Sequence, residues 1–170
     1  VTVALTYPED GATREDRAAL PDGYRHVRRR MRVGSGPAAF DSLAAGMRTW
    51  GIHRGAGLPV RAEGPPGPER VFHTGLSLGP VRLWAPCRIV WLADEPRRFG
   101  YGFGTLPGHP ERGEEAMIAT LGGDGDVWFE IRAFSRPATW YARLGGPVGR
   151  FVQDRVTDRY VAAAQRLAAG

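Results

Sequence analysis

His109 has the setting in this chain that most resembles chemistry. It lies in Leu106-Pro107-Gly108-His109-Pro110, and Glu111, Glu114 and Glu115 follow within six positions. A carboxylate beside an imidazole fixes its tautomer and raises its pKa, which suits acid–base work near neutrality. His109, Glu111 and Glu114 are therefore the catalytic candidates. The structural alternative for His109 is a ring that bonds backbone groups between two prolines. Arg88, Arg132 and Arg136 form a second constellation. An arginine facing a cavity selects a carboxylate or phosphate on a ligand. On an outer strand face it joins a salt-bridge ladder instead, and Glu130 is two positions from Arg132 on the same face. His53-Arg54 reads either as cations favoured at a helix C-terminus or as an anion-binding pair. Cys87, between Pro86 and Arg88, is either a thiolate favoured by the arginine or a buried, inert thiol. The His and Glu spacing matches no zinc pattern, so no metal is expected.

The strand leading to His109 has two unlike faces. Phe99, Tyr101, Phe103 and Thr105 share one; Gly100, Gly102 and Gly104 share the other. A bare glycine face marks a close approach or a space being left. Either face can line an interior. With the aromatic face inward, Tyr101, Phe103 and Thr105 form a wall, and His109 and Arg136 lie near its mouth. These glycines alternate within a strand and do not open a helix, which excludes a dinucleotide fingerprint. No cofactor is expected.

Residues 1–23 read as an irregular arm, with turn signals at Tyr7-Pro8-Glu9-Asp10-Gly11 and Pro21-Asp22-Gly23 and a short helical turn over Arg14–Leu20. Tyr24–Val33 alternates as a strand, with Val27, Met31 and Val33 on one face and arginines on the other. Gly34-Ser35-Gly36-Pro37 starts a helix whose stripe is Phe40, Leu43, Met47 and Trp50, and Gly51 ends it. A strand starts near Val60–Ala62. Six strands follow, over Arg70–Thr74, Val81–Trp84, Cys87–Ala93, Arg98–Leu106, Glu115–Leu121 and Val127–Phe134. With short spacers and no helix between them they form an antiparallel meander. Ala138–Leu144 is a short helical piece. A long helix spans Val148–Leu167, with a stripe of Val148, Phe151 or Val152, Val156, Tyr160, Ala164 and Leu167.

At 170 residues, with 42% hydrophobic residues and five tryptophans, the chain is expected to be one packed domain: an arm over 1–23 and a body over 24–170. No window approaches a membrane span and no signal peptide is evident, so a cytoplasmic location is the default expectation. The net charge is +5, but every basic residue is Arg and there is no Lys or Asn. That bias is the mark of a GC-rich genome, and no nucleic-acid motif accompanies the charge. Strand, helix, meander and long helix then imply an α+β fold. A curved antiparallel sheet of six to seven strands wraps around the long C-terminal helix, a helix grip.

Several phrases carry a family resemblance: Tyr7-Pro8-Glu9, Gly34-Ser35-Gly36, Trp50 with His53-Arg54, Pro86-Cys87-Arg88, Asp94-Glu95-Pro96, Tyr101 through Glu115, and Phe134-Ser135-Arg136-Pro137. Together they resemble a family of bacterial and plant proteins known as domain of unknown function nineteen-ninety. It is similar to the START-like, or Bet v 1-like, superfamily, which includes polyketide-cyclase-like proteins. The resemblance implies a helix-grip cavity that holds a small apolar or amphipathic molecule. It implies no catalytic residue. Three functions follow: a ligand-binding module, an enzyme of the same fold using His109 with Glu111 or Glu114, and a protein-interaction module whose cavity is filled by its own side chains.

Overall fold

In the computed structural model, residues 3–15, 19–78, 80–139, 143 and 146–170 are described. The expected turn over 14–20 and the helical piece over 138–144 fall partly outside them. The elements are β1 (Arg25–Ser35), α1 (Gly36–Arg48), α2 (Gly51–Gly55), β2 (Val60–Ala62), β3 (Val71–Leu78), β4 (Val81–Glu95), β5 (Arg98–Thr105), β6 (Glu111–Leu121), β7 (Asp126–Pro137) and α3 (Gly146–Ala169). Short turns make β3 to β7 successive antiparallel neighbours. The helical crossover from β1 through α1 and α2 carries β2 to the far edge, and β1 pairs β7. The sheet order is β1-β7-β6-β5-β4-β3-β2.

One face of this sheet, the inner one, is packed against α1, α2 and α3. Phe99, Tyr101, Met117, Phe129 and Ile131 from the strands meet Leu43, Met47, Trp50, Tyr160 and Ala164 from the helices in one core. Small residues let the helices close on each other: a Cβ on Gly46 would strike Leu167, and one on Gly55 would meet Ala163. Arg25 and Arg29 of β1 tie the sheet edge to Asp154 and Asp158 of α3, each at 2.7 Å.

Several boundaries differ from the sequence reading, for physical reasons. Val81–Trp84 and Cys87–Ala93 are one strand, because Pro86 interrupts nothing. Its carbonyl accepts the Leu106 N–H at 3.1 Å, and it stays in register opposite His73 of β3. Gly51 does not end the helical region. Trp50 takes a left-handed turn (φ 61°) and a second short helix follows. The start of the α3 stripe also differs: Val148 and Phe151 are exposed, and burial begins at Thr157.

The outer face of the sheet carries a second core. A bulge in β4 between Ile89 and Trp91 turns Trp91 from the inner face, where alternation would put it, onto the outer one opposite Gly102. A Cβ on Gly102 would overlap the indole, and one on Gly104 would overlap the Tyr7 hydroxyl. The glycine face of β5 is therefore the seat of Trp91 and of the N-terminal arm. The arm is held by Glu114, which accepts from the Tyr7 hydroxyl at 2.7 Å, from the Gly11 and Thr13 amides at 2.8 and 2.9 Å, and from the Thr13 hydroxyl. Thr13 also accepts the Trp91 indole N–H at 3.0 Å. Arg132, fully buried here, pairs with Glu130 at 2.6 Å and donates to the Thr13 carbonyl at 3.2 Å. Arg88 donates to the Val3 carbonyl at 2.9 Å.

Candidate functional site

Strand register places one carboxyl inside the grip. Ile89, Phe103, Glu115 and Ala133 form a row across β4 to β7, and Tyr101, Met117 and Ile131 form the next. Because side chains alternate, Glu115 points inward while Glu114 points to the arm. Above this row hangs His53. The left-handed turn at Trp50 redirects the chain between α1 and α2, and the Trp50 indole anchors it by donating to the Gly64 carbonyl at 2.9 Å. His53, with no exposed surface, then meets the rings of Phe103, Tyr160, Phe72 and Trp50 at centroid distances of 5.4, 5.5, 5.7 and 5.8 Å.

Four polar side-chain atoms of this interior lack partners. Neither ring nitrogen of His53 has a hydrogen bond, and neither do Thr74 Oγ1 and Glu115 Oε1. An unsatisfied buried group costs about 1–3 kcal/mol, and folded proteins hold few of them. Burial lowers the His53 pKa to about 3, so the ring is neutral. Burial raises the Glu115 pKa to about 7. The Glu115 side chain keeps some accessible surface although its Oε1 is buried. Its charge is felt by three neighbours from three elements: Cys87, Tyr101 and Tyr160, each raised first by burial and then by Glu115. Cys87 is thus a protonated thiol, not a nucleophile. Arg88 and Arg132 serve the opposite face, so neither of them counters the carboxylate on this one. The arrangement is a packed, apolar and aromatic core that holds one titratable carboxyl and one neutral imidazole.

Of the residues singled out from sequence, Tyr101, Phe103, Glu115, Cys87 and His53 meet here. Thr105, His109, Glu111, Glu114 and Arg136 have other partners. Thr105 Oγ1 bonds the Gly113 N–H and carbonyl, at 3.0 and 3.2 Å, and Thr6. His109 Nδ1 lies 2.9 Å from the Glu111 backbone nitrogen and 3.0 Å from its carbonyl oxygen, so the ring is tied to the turn backbone, and burial lowers its pKa to about 4. The Glu111 carboxyl is raised by burial, against the pull of Ser135 and Arg25. Glu114 is fully engaged by the arm on the outer face, so His109, Glu111 and Glu114 do not converge. Arg136 is exposed on the outer side, 4.7 Å over the Tyr24 ring. His53 is neither at an exposed helix end nor charged, which removes the anion-binding pair. Among the described residues no three metal-ligating side chains cluster. No helix among them is long and apolar enough to cross a membrane.

The comparisons with known proteins agree with this frame. The model of the family described as Domain of unknown function (DUF1990) matches residues 6–163. A UPF0548 protein of Deinococcus radiodurans is 34% identical over 177 residues, covering 97% of this chain and 88% of the relative. Among solved structures, Ara h 8.0201 superposes with a TM-score of 0.57 at 14% identity, covering 87% of this chain and 100% of that one. The di-domain ARO/CYC StfQ from the steffimycin biosynthetic pathway gives 0.57 at 12% identity, covering 86% of this chain and 51% of that one. At such identities the structures speak for the fold alone. The seven-stranded sheet with its long C-terminal helix is the Bet v 1-like helix grip.

Proposed function

The chain belongs to the DUF1990 family, and from the interior of its helix grip we propose that it binds a small amphipathic molecule between the sheet and α3. The observation that carries this reading is the set of unpartnered polar atoms on His53 and Glu115 inside an otherwise apolar core. A core built only for packing would place leucine or phenylalanine at both positions at no such cost. A ligand with an apolar body and one polar head supplies the missing partners. In this reading Tyr101 and Phe103 form the wall.

The three methionines provide the test. Met47 and Met117 are fully buried in the main core and Met31 packs against it. Met117 neighbours Tyr101 in register and lies two residues from Glu115. Native mass spectrometry of the purified protein identifies any molecule carried along. Methyl NMR of the three methionines then follows a titration with small amphiphiles. The expected result is a saturable shift of Met117 at one-to-one stoichiometry. Binders that leave all three methyls in place while shifting surface signals refute the reading.

A further inference from the structure

We propose that the ligand held in this interior carries a protonated amine, with its ammonium against Glu115 and its apolar body against Phe103, Tyr101 and Tyr160. The proposal rests on the interior-binding reading above and adds the chemical class of the head group.

Charge placement carries the argument. Glu115 is the acidic group of the apolar row Ile89, Phe103, Glu115, Ala133, and its Oε1 is buried without a hydrogen bond. Among the described residues, the groups that sense it from the packed elements are Cys87 of β4, Tyr101 of β5 and Tyr160 of α3, with His53 of α2 across the Phe103 ring. None of them is a cation near neutral pH, since burial keeps His53 neutral. On β1, Arg25 is paired with Asp154 and Arg29 with Asp158. A carboxylate or phosphate head would therefore meet an uncompensated like charge. A hydroxyl head would satisfy a hydrogen bond and leave the charge unanswered. An ammonium does both, and the surrounding ring faces favour a cation further.

The binding is coupled to the proton on Glu115. Ammonium pairs with the ionised carboxylate, so affinity rises as Glu115 loses its proton around pH 7. An aliphatic ammonium keeps its own proton until about pH 10. Affinity for the amine is thus expected to rise about tenfold from about pH 6 to about pH 8.

Phenylbutylamine, phenylbutanol and phenylbutyrate share one body and differ in the head. Each is titrated into the wild-type protein and into Glu115→Gln, with the Met117 methyl as reporter. The expected result is an amine affinity at least about tenfold above that of the alcohol at about pH 8, a preference that shrinks toward about pH 6. In Glu115→Gln the amine falls to the level of the alcohol, whose own affinity hardly changes. An alcohol or carboxylate that binds the wild type as tightly as the amine overturns the proposal and leaves the interior site standing. An amine preference that survives Glu115→Gln, or that ignores pH in the wild type, overturns it as well. If none of the three moves Met117, the interior-binding reading itself falls and takes this inference with it. Should Glu115→Gln fail to fold, the wild-type pH series decides alone.

Discussion

Replacing Glu115 by Gln removes a titrating group from the interior and leaves its shape almost unchanged. In the unfolded chain a glutamate has a pKa near 4.5, and in this fold burial raises it to about 7. Between those values the folded protein holds a proton that the unfolded chain has released. Stability is therefore highest below the unfolded pKa and is lost as pH rises toward the folded one, with nothing further lost above it. At ~1.4 kcal/mol per pKa unit, the wild type forfeits about 2–3 kcal/mol between about pH 5 and about pH 8 through this one group. Glutamine does not titrate. The assay is urea denaturation of both proteins across that range, taking the difference in unfolding free energy at each pH. Groups common to both, His53 and His109 included, cancel in the difference. Glu115→Gln should gain on the wild type by about 2–3 kcal/mol from the acidic to the alkaline end, with most of the gain before about pH 7. A difference flat with pH would mean that water or a counter-charge already satisfies the carboxylate, and the reasoning about the interior would be refuted.

Three other outcomes follow from the geometry. His53 is held neutral with a pKa of about 3, so the fold loses stability as pH falls below the unfolded value of about 6.5. His53→Leu should improve on the wild type increasingly on acidification, by about 2–3 kcal/mol near pH 4.5, read by the same denaturation series; an equal gain at all pH values would contradict a neutral, unpaired ring. Glu114→Ala removes four hydrogen bonds from the arm and should cost about 3 kcal/mol or more. Limited proteolysis should then cut within the first 24 residues, and a variant as resistant as the wild type would show the anchor lies elsewhere. Gly102→Ala drives a methyl into the Trp91 indole, a clash worth about 1–3 kcal/mol that should also shift Trp91 emission; unchanged stability would place the indole elsewhere.

Much of the fold was legible because its signals are local. The β5 alternation, the meander turns and the long helix all follow from periodicities of two and 3.6. The inward carboxyl was also within reach. Glu115 shares its parity with Met117, Ala119 and Leu121, so one glutamate interrupts an apolar strand face. Its nearness to His109 along the chain masks it, because closeness in sequence is not closeness in space. Neighbours on a strand face opposite ways, and that alone divides Glu114 from Glu115. His53 was harder. Its burial depends on a left-handed turn at a tryptophan, a conformation no local propensity favours and which the Trp50 contacts impose. The role of the glycine face was undecided for a similar reason. What sits on Gly102 and Gly104 comes from a bulge at Val90 and from an arm some hundred residues away, and neither announces itself in the strand.

The arm has a consequence for how the chain is made. Tyr7 is bonded to a carboxylate 107 residues further along, and Thr13 to the same group 101 residues further along. On the ribosome the arm emerges before the sheet, and its seat on β6 and β7 emerges after most of the strands. At ~5–20 residues per second it waits roughly 5–20 s for Glu114. Through that interval Tyr7 and Leu20, both buried in the finished protein, are open to other partners. Docking of the arm is then a closing step of synthesis. A nascent chain arrested before Glu114 should display a protease-sensitive start, and one released after Pro137 should not.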